Sequence, residues 1–229
     1  MIGALVVILL ALAGYLAGSV SGSLLLGKLR GIDIRAMGSG NAGGTNALRS
    51  VGWAFALLVV AIDIGKGIFA AAVLPLIPPL LSGFSSAFSW AFSWDTLPIG
   101  PIGVGALCGL AAVVGHVWPV FYGFRGGKGA GTAVGVIVVL APWCIAPLVV
   151  VWLVALLGTG YVGLATVLAG LSLVPSMGLL GPEPLPPALG ALAIVLAGLI
   201  VFTHRSNLAR LRSGTENRFE KARVLKRRR

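Results

Sequence analysis

Long apolar runs make up most of the chain, and a few short segments carry nearly all of its positive charge. All lysines and arginines except Lys66 lie in three segments, 28–49, 125–128 and 205–229. A composition of 58% apolar residues with a net charge of +11 excludes an ordinary soluble globule. The pattern predicts an integral membrane protein. Because the basic segments flank apolar runs, anionic lipid headgroups are favoured over nucleic acid as their partner.

Six apolar segments are candidates for membrane-spanning helices, each bounded by polar residues or by Pro/Gly breaks. They lie at residues 2–26, 53–80, 99–121, 133–157, 161–180 and 188–203. The first resembles a secretory signal but has no basic residue before Lys28, so we expect it to be retained, with its N-terminus outside. The sequence therefore predicts an all-α, polytopic helical bundle.

The distribution of charge also constrains the number of crossings. Cytoplasmic loops carry the excess of Lys and Arg, but six single crossings would place 205–229 outside. Pro142 and Pro147 divide segment 133–157, and proline ends or kinks a helix. We therefore predict that 133–157 crosses twice as two short helices, which gives seven spans with the N-terminus outside and the C-terminus inside. The predicted domains are a transmembrane domain, 1–204, with cytoplasmic loops 27–52 and 122–132, and a basic cytoplasmic segment, 205–229.

The two basic loops have the composition of an anion-binding site. They contain GSGNAGGTN at 38–46 and GFRGGKGAGT at 123–132. Successive glycines let backbone N–H groups approach an oxyanion, and nearby cations add charge. A dinucleotide motif is excluded because no strand precedes Gly38, and a Walker loop fails at Tyr122 and Gly129. Glycines also form tight loops without any ligand, but the many hydrogen-bonding side chains of the first loop favour a phosphate site.

The C-terminal basic segment supplies a third group of polar residues. If the chain stays helical past His204, then His204, Asn207 and either Arg210 or Leu211 share one face. An ordinary basic helix beside the membrane explains the residues from Arg218 onward. For His204 and Asn207 we favour a role in the site.

One pair of charges lies inside an apolar segment. Asp63 and Lys66 stand three residues apart in the second span and can form the ion pair that charges inside a membrane require. The sequence supports a structural pair and a contribution to the site equally. Cys108 and Cys144 have no Cys or His at ligand spacing, so neither a disulfide nor a metal site is predicted.

Four segments, in order, resemble the bacterial acyl-phosphate-dependent glycerol-3-phosphate acyltransferases, the PlsY family. They are GSGNAGGTNALRSVG from Gly38, DIGKG from Asp63, GHVWPVFYGFRGGKGAGT from Gly115 and HRSNLARLRSGTE from His204. The resemblance implies transfer of a fatty acyl group from acyl phosphate to the 1-hydroxyl of sn-glycerol 3-phosphate. The products would be 1-acyl-glycerol 3-phosphate and phosphate, in the first acylation of phospholipid biosynthesis. It also implies a bacterial inner-membrane protein whose active site faces the cytoplasm, with no cofactor and no metal.

The resemblance also implies roles for individual residues. Ser39 and Thr45 would contact the acyl phosphate, and a cationic and polar set would hold the glycerol phosphate: Arg49, Lys128, Asn207 and Arg212. The expected catalytic residues are Ser39, Arg49, Lys128 and His204. The expected substrate-binding residues are Gly40, Asn41, Thr45, Asn46, His116, Gly127, Gly129, Thr132, Asn207, Arg212 and Glu216.

The chemistry of acyl phosphate fits such residues. It is a mixed anhydride with a good leaving group, so an enzyme mainly has to position two anions and stabilise oxyanion charge. The His-x4-Asp dyad of acyl-CoA-dependent acyltransferases is missing, since Phe121 stands five residues after His116 and Ala209 five after His204. The sequence thus shows no histidine–carboxylate base. The acceptor's own phosphate, with a second pKa of about 6, remains as the base, which is a hypothesis of substrate-assisted catalysis.

Two other classes of protein share part of this pattern. A transporter of an organic phosphate would also use glycine-rich breaks and intramembrane charges, but here the cations lie on one face and no internal repeat relates the halves. A basic scaffold for anionic lipid would leave the Ser, Asn and Thr residues of the loops unexplained. The acyltransferase is the favoured interpretation.

Overall fold

The computed structural model describes residues 2–84 and 99–219, and every regular element within them is helical. The predicted all-α membrane bundle is confirmed. The helices are α1 Ile2–Ser19, α2 Gly22–Leu29, α3 Gly44–Ser50, α4 Trp53–Ile68, α5 Ile77–Phe84, α6 Gly100–Val117, α7 Ala130–Leu140, α8 Ile145–Thr159, α9 Val162–Leu180, α10 Pro187–Thr203 and α11 Arg205–Arg212. The basic residues after position 219 lie outside the described part of the chain.

Within the described residues, five helical segments are long and apolar enough to cross a membrane. These are Ile2–Ser19, Trp53–Gly83, Gly100–Tyr122, Pro142–Thr159 and Val162–Leu180. A sixth is added if α10 and α11, which meet at an angle of 51°, form one span. The predicted division of 133–157 occurs, because α7 ends at Leu140 and a 3-10 turn, Pro142–Cys144, leads into α8. The count of seven crossings and their orientation stay predictions.

The chain forms two compact units that divide between Leu140 and Ala141. In the first unit, small residues let the helices approach closely. A Cβ built on Gly14 would lie 2.5 Å from the carbonyl oxygen of Cys108, so α1 and α6 are in backbone contact there. In the same way, a Cβ on Gly135 would overlap the backbone of Ile64, which shows that α4 and α7 also pack backbone to backbone.

The first apolar segment is not one helix, in contrast to the predicted span 2–26. Helix α1 ends at Ser19, Ser21 is extended, and α2 begins at Gly22. In a continuous helix the Gly22 N–H would donate to the Gly18 carbonyl. Here Gly22 N–H donates to Asp63 Oδ1 at 3.2 Å, and the Gly18 carbonyl accepts from Lys66 Nζ at 2.8 Å. The Asp63–Lys66 pair thus replaces one helical hydrogen bond, and this is the physical reason for the break.

In the second unit, α8 turns into α9 at Gly160, whose φ of 78° lies in the left-handed region that glycine tolerates. Helix α10 packs on α9, and the chain remains helical past His204 but bends there. The segment after α11 returns to the α8–α9 turn. Phe219 N–H donates to the Gly160 carbonyl at 2.7 Å, and the Arg218 guanidinium lies 4.8 Å from the centre of the Tyr161 ring.

Candidate functional site

The first signature loop is shaped by the side chain of Asn46, which is 2% exposed. Its Nδ2 donates to the carbonyls of Ile34 at 3.0 Å and Met37 at 2.9 Å, and its Oδ1 accepts from Ser39 N–H at 2.9 Å. Both N–H groups of the amide are therefore used by the loop backbone. Asn46 fixes the loop that carries Ser39, and the substrate contact expected for it stays a prediction.

The remaining polar residues of this loop reach its surface to different degrees. Ser39 and Arg49 are exposed, while Asn41 and Thr45 are half-buried. Gly38 and Gly40 have φ of 55° and 72°, a conformation that side chains other than glycine disfavour. A Cβ at Gly38 would also overlap Asn46 Oδ1. Gly40, one of the expected binding residues, is therefore needed for the turn in any case.

The second signature loop folds back on the end of α6. Gly126 N–H donates to the Val117 carbonyl at 3.2 Å, and Gly127 N–H donates to the His116 carbonyl at 3.1 Å. Gly129, with φ of 84°, leads into α7. The loop glycines at the expected binding positions 127 and 129 are buried, and Lys128 between them is half-buried. Thr132, in the first turn of α7, is fully buried, and its hydroxyl has no hydrogen-bond partner among the described residues.

The two loops meet within the first unit. A Cβ built on Gly127 would lie against both the Ala42 carbonyl and His116 Nε2, so only glycine fits at this junction. Arg35 forms a second junction, since its Nη1 donates to the Tyr122 carbonyl at 3.2 Å. Arg35 also pairs with Asp33 at 2.9 Å, and the hydrogen bond from Arg35 lowers the pKa of the Asp33 carboxyl below its usual value. The structure thus brings together the segments that carry Ser39 and Lys128.

A buried cluster lies next to this junction. Lys66 Nζ is 3.1 Å from Asp63 Oδ1, so the pair indicated by their spacing forms. His116, which is 3% exposed, completes the cluster, with its Nδ1 2.8 Å from Lys66 Nζ and 3.3 Å from Asp63 Oδ1. His116 therefore has a carboxylate neighbour in the fold, Asp63, although the sequence contains no His-x4-Asp dyad. Asp63 and Lys66, for which the sequence supports a structural pair and a contribution to the site equally, thus contact His116, one of the expected binding residues.

The third signature segment lies in the second unit. His204 is buried, and its Nδ1 is 2.8 Å from the Ile200 carbonyl. Glu216 accepts from Asn207 Nδ2 at 2.6 Å and from Arg210 Nε at 2.7 Å. The carboxylate expected to bind substrate therefore holds two neighbouring side chains. Arg212 is exposed at the end of α11.

Comparisons with known proteins agree on one family. A family sequence model described as glycerol-3-phosphate acyltransferase matches residues 8–214. Relatives named glycerol-3-phosphate acyltransferase include that of Chlorobaculum parvum, 36% identical over 89% of this chain and 92% of the relative. That of Halalkalibacterium halodurans is 38% identical over 92% of this chain and 94% of the relative.

Two solved structures are similar over almost the whole chain. Both are of PlsY, an integral membrane glycerol 3-phosphate acyltransferase. The glycerol 3-phosphate form has a TM-score of 0.75 and 36% identity, covering 93% of this chain and 95% of that one. The lysophosphatidic acid form has a TM-score of 0.73 and 35% identity, covering 93% and 94%.

Proposed function

Because the chain belongs to the glycerol-3-phosphate acyltransferase family, we propose that it transfers a fatty acyl group from acyl phosphate to the 1-hydroxyl of sn-glycerol 3-phosphate. The acceptor oxygen forms an ester bond with the acyl carbon, and the bond from that carbon to the phosphate oxygen breaks. The products are 1-acyl-glycerol 3-phosphate, a lysophosphatidic acid, and inorganic phosphate. The reaction is the first acylation of phospholipid biosynthesis.

The observation that carries this proposal is the meeting of the two signature loops at Gly127. One loop presents Ser39 on a glycine turn, and the other presents Lys128 between two buried glycines. Such a junction offers hydroxyl, N–H and ammonium groups to two phosphate-bearing substrates. Preorganised donors of this kind stabilise the oxyanion that develops during acyl transfer.

We divide the residue roles between the two substrates. We assign Ser39 and Thr45 to the acyl phosphate, and Arg49 and Lys128 to the phosphate of the acceptor. Asn207 and Arg212 keep the glycerol-phosphate role that the resemblance implies. All three basic segments would face the cytoplasm of a bacterial inner membrane, because positive charge is retained on that side.

The proton of the acceptor hydroxyl also needs a destination. We assign it to the acceptor's own phosphate, whose second pKa is about 6 and which is therefore largely dianionic at neutral pH. The phosphate of the donor leaves as inorganic phosphate without help from a strong acid. The protein then contributes mainly position and charge.

The test is release of phosphate by the detergent-solubilised protein, measured with acyl phosphate in the presence and absence of glycerol 3-phosphate. We expect release that depends on the acceptor, with 1-acyl-glycerol 3-phosphate formed in equal amount. Acyl-CoA in place of acyl phosphate should give no product. Comparable rates with acyl-CoA alone would contradict the assigned donor, and the absence of any acyl transfer would favour the transporter.

A further inference from the structure

Among the described residues, Asp63, Lys66 and His116 form a group of buried titratable side chains to which the proposed reaction assigns no role. Asp63 and Lys66 lie on α4, and His116 lies on α6, fifty positions further along the chain than Lys66. The side chains of all three are 6% exposed or less. Charges held at such depth in a membrane protein are costly and mark functional positions.

Lys66 is at the centre of the cluster. Its Nζ lies 2.8 Å from the Gly18 carbonyl, 3.0 Å from the Val20 carbonyl, 2.8 Å from His116 Nδ1 and 3.1 Å from Asp63 Oδ1. An ammonium group has three N–H donors. The three shorter distances lead to the two carbonyls and the imidazole, and the carboxylate completes the charge balance.

This arrangement decides which nitrogen of His116 carries the proton. An ammonium only donates, so the short contact with Lys66 requires that His116 Nδ1 accepts. A proton on Nδ1 would point at the Lys66 ammonium across 2.8 Å. If both ring nitrogens were protonated, the imidazolium would add a second positive charge to the buried cluster. With Nδ1 as acceptor, Asp63 and Lys66 balance each other, and the proton of the neutral imidazole is on Nε2.

The Nε2 atom lies at the junction of the two signature loops. Gly127 approaches Nε2 so closely that no Cβ would fit, and the same Cβ would also lie 2.7 Å from the Ala42 carbonyl oxygen. The backbone of His116 also accepts from Gly127 N–H. The loop next to Lys128 therefore contacts both the backbone and the ring of His116. Lys66 in turn orients that ring.

We propose that Lys66 is a positioning residue that holds His116 in the Nε2-protonated tautomer, so that the imidazole presents an N–H donor to the loop junction. Lys66 acts through His116 and Gly127 on the placement of Lys128, and Asp63 neutralises it. The effect on catalysis rests on the proposed function, whereas the tautomer does not. In this arrangement His116 is a donor and cannot serve as the general base.

The tautomer can be read directly, since the chain contains only two histidines. In nitrogen-15 NMR of histidine-labelled protein in micelles near neutral pH, we expect His116 to show an unprotonated Nδ1 and a protonated Nε2. His204 should show the reverse, because the Ile200 carbonyl next to its Nδ1 can only accept. The variant His204→Gln assigns the two signals. A protonated Nδ1 on His116 would overturn the proposal.

Removal of the donor tests the positioning role. Lys66→Met keeps much of the side-chain volume, and we expect the His116 proton to move to Nδ1, where Asp63 Oδ1 can accept it. The expected kinetic result is a loss of kcat/KM for glycerol 3-phosphate on the order of 10²-fold, the effect of a small misplacement of a binding group. Lys28→Met makes the same change at an exposed lysine and should alter neither readout.

Two further variants keep the test decisive if Lys66→Met fails to fold. Asp63→Asn combined with Lys66→Met removes both charges and should fold. The amide oxygen that replaces the carboxylate can still accept from Nδ1–H, so we expect the same shift of the His116 signal and the same kinetic loss. His116→Asn retains an acceptor near the Nδ1 position and should keep more activity than His116→Gln. An unchanged tautomer and unchanged kcat/KM in a folded variant lacking Lys66 would refute the proposal. A wild-type protein without acyl transfer but with the expected tautomers would instead refute the proposed function.

Discussion

Asn207 donates from Nδ2 to Glu216 Oε1 across 2.6 Å, a contact between residues nine positions apart. A carboxylate only accepts hydrogen bonds, so the nitrogen end of the amide faces Glu216 and the oxygen end faces away. Glu216 also holds Arg210. The orientation of Asn207 is therefore set by the segment that follows α11.

The space for Asn207 depends on Gly163 in α9. A Cβ at Gly163 would lie 2.8 Å from Asn207 Nδ2 and 2.9 Å from its Cβ, too close for either atom. Gly163→Ala should displace Asn207 and lower kcat/KM for glycerol 3-phosphate by roughly 10²-fold. Gly178→Ala in the same helix is the matched control, because nothing lies within 4 Å of the added carbon. Steady-state kinetics with varied acceptor checks this, and equal losses in both variants would contradict it.

Arg35 joins the two loops by its shape as well as its charge. Its guanidinium bonds Asp33 and reaches the carbonyls of Tyr122 and Arg125, at 3.2 and 3.5 Å. Lysine keeps the charge but lacks the planar fork. Arg35→Lys should therefore raise the KM for glycerol 3-phosphate several-fold, while thermal unfolding of the solubilised protein changes little. A KM equal to that of the wild type would show that the loop junction does not need this contact.

Lys128 and Arg49 should act as holders of phosphate. Lys128→Ala and Arg49→Ala are each expected to lower activity by about 10² or more, the usual effect of losing preorganised charge, with normal extraction in detergent. Lys28→Ala is the control, since this lysine is exposed on the same basic segment as Arg49. If all three variants lost activity equally, the cations would act only through general attraction to anions.

The proposed topology can be tested by labelling. Single cysteines placed near Gly44, near Gly127 at the exposed Arg125, and near Ser213 should be shielded from an impermeant thiol reagent in intact cells. A cysteine at Ser86, which lies outside the described residues, should react. The reason is that all basic segments are expected on the cytoplasmic face. Labelling near position 213 but not near 127 would contradict the predicted double crossing of 133–157.

The limits of the apolar helices could be predicted from sequence, because hydropathy and proline are local signals. The predicted 161–180 corresponds to Val162–Leu180, and the predicted break at Pro142 occurs. The Gly/Ser run GSVSGS at 18–23 is a weak local signal of a break, but it does not suffice to predict the break after Ser19. That break depends on Lys66, whose contacts with Gly18 and Val20 join residues 48 and 46 positions apart.

The site was predictable to a similar degree. Clusters of polar residues in the loops are visible in sequence, and Asp63 and Lys66 are paired by spacing alone. The direction of a side chain is not visible. Asn46 has a side chain of the kind that binds substrates, yet its amide N–H groups donate to the backbone of its own loop. The contact of His116 with the ion pair is a tertiary contact, although an intramembrane pair does signal a polar neighbour on an adjacent helix.

The last prediction concerns the base. If the acceptor's phosphate takes the hydroxyl proton, the dianion reacts, and kcat/KM should rise through a pH of about 6 to 7 and then level. Asp33 cannot cause this limb, because its pKa is lowered from 3.8 by Arg35 and it is ionised throughout that range. His204 is the stronger competitor. The Ile200 carbonyl, 2.8 Å from its Nδ1, can only accept, so a neutral ring that donates there from Nδ1–H has its lone pair on Nε2.

The histidine variants separate these two bases. In His116→Gln and His204→Gln the rate should fall through lost positioning. The acid limb of the kcat/KM profile should still lie at the second pKa of the acceptor's phosphate. An acceptor phosphonate with a higher second pKa should move the limb upward in the wild type and in both variants. If the limb vanished in His204→Gln and ignored the phosphonate, His204 would be the general base and catalysis would not be substrate-assisted. The same outcome in His116→Gln would in addition contradict the Nε2-protonated tautomer, because a nitrogen that already carries a proton cannot accept one.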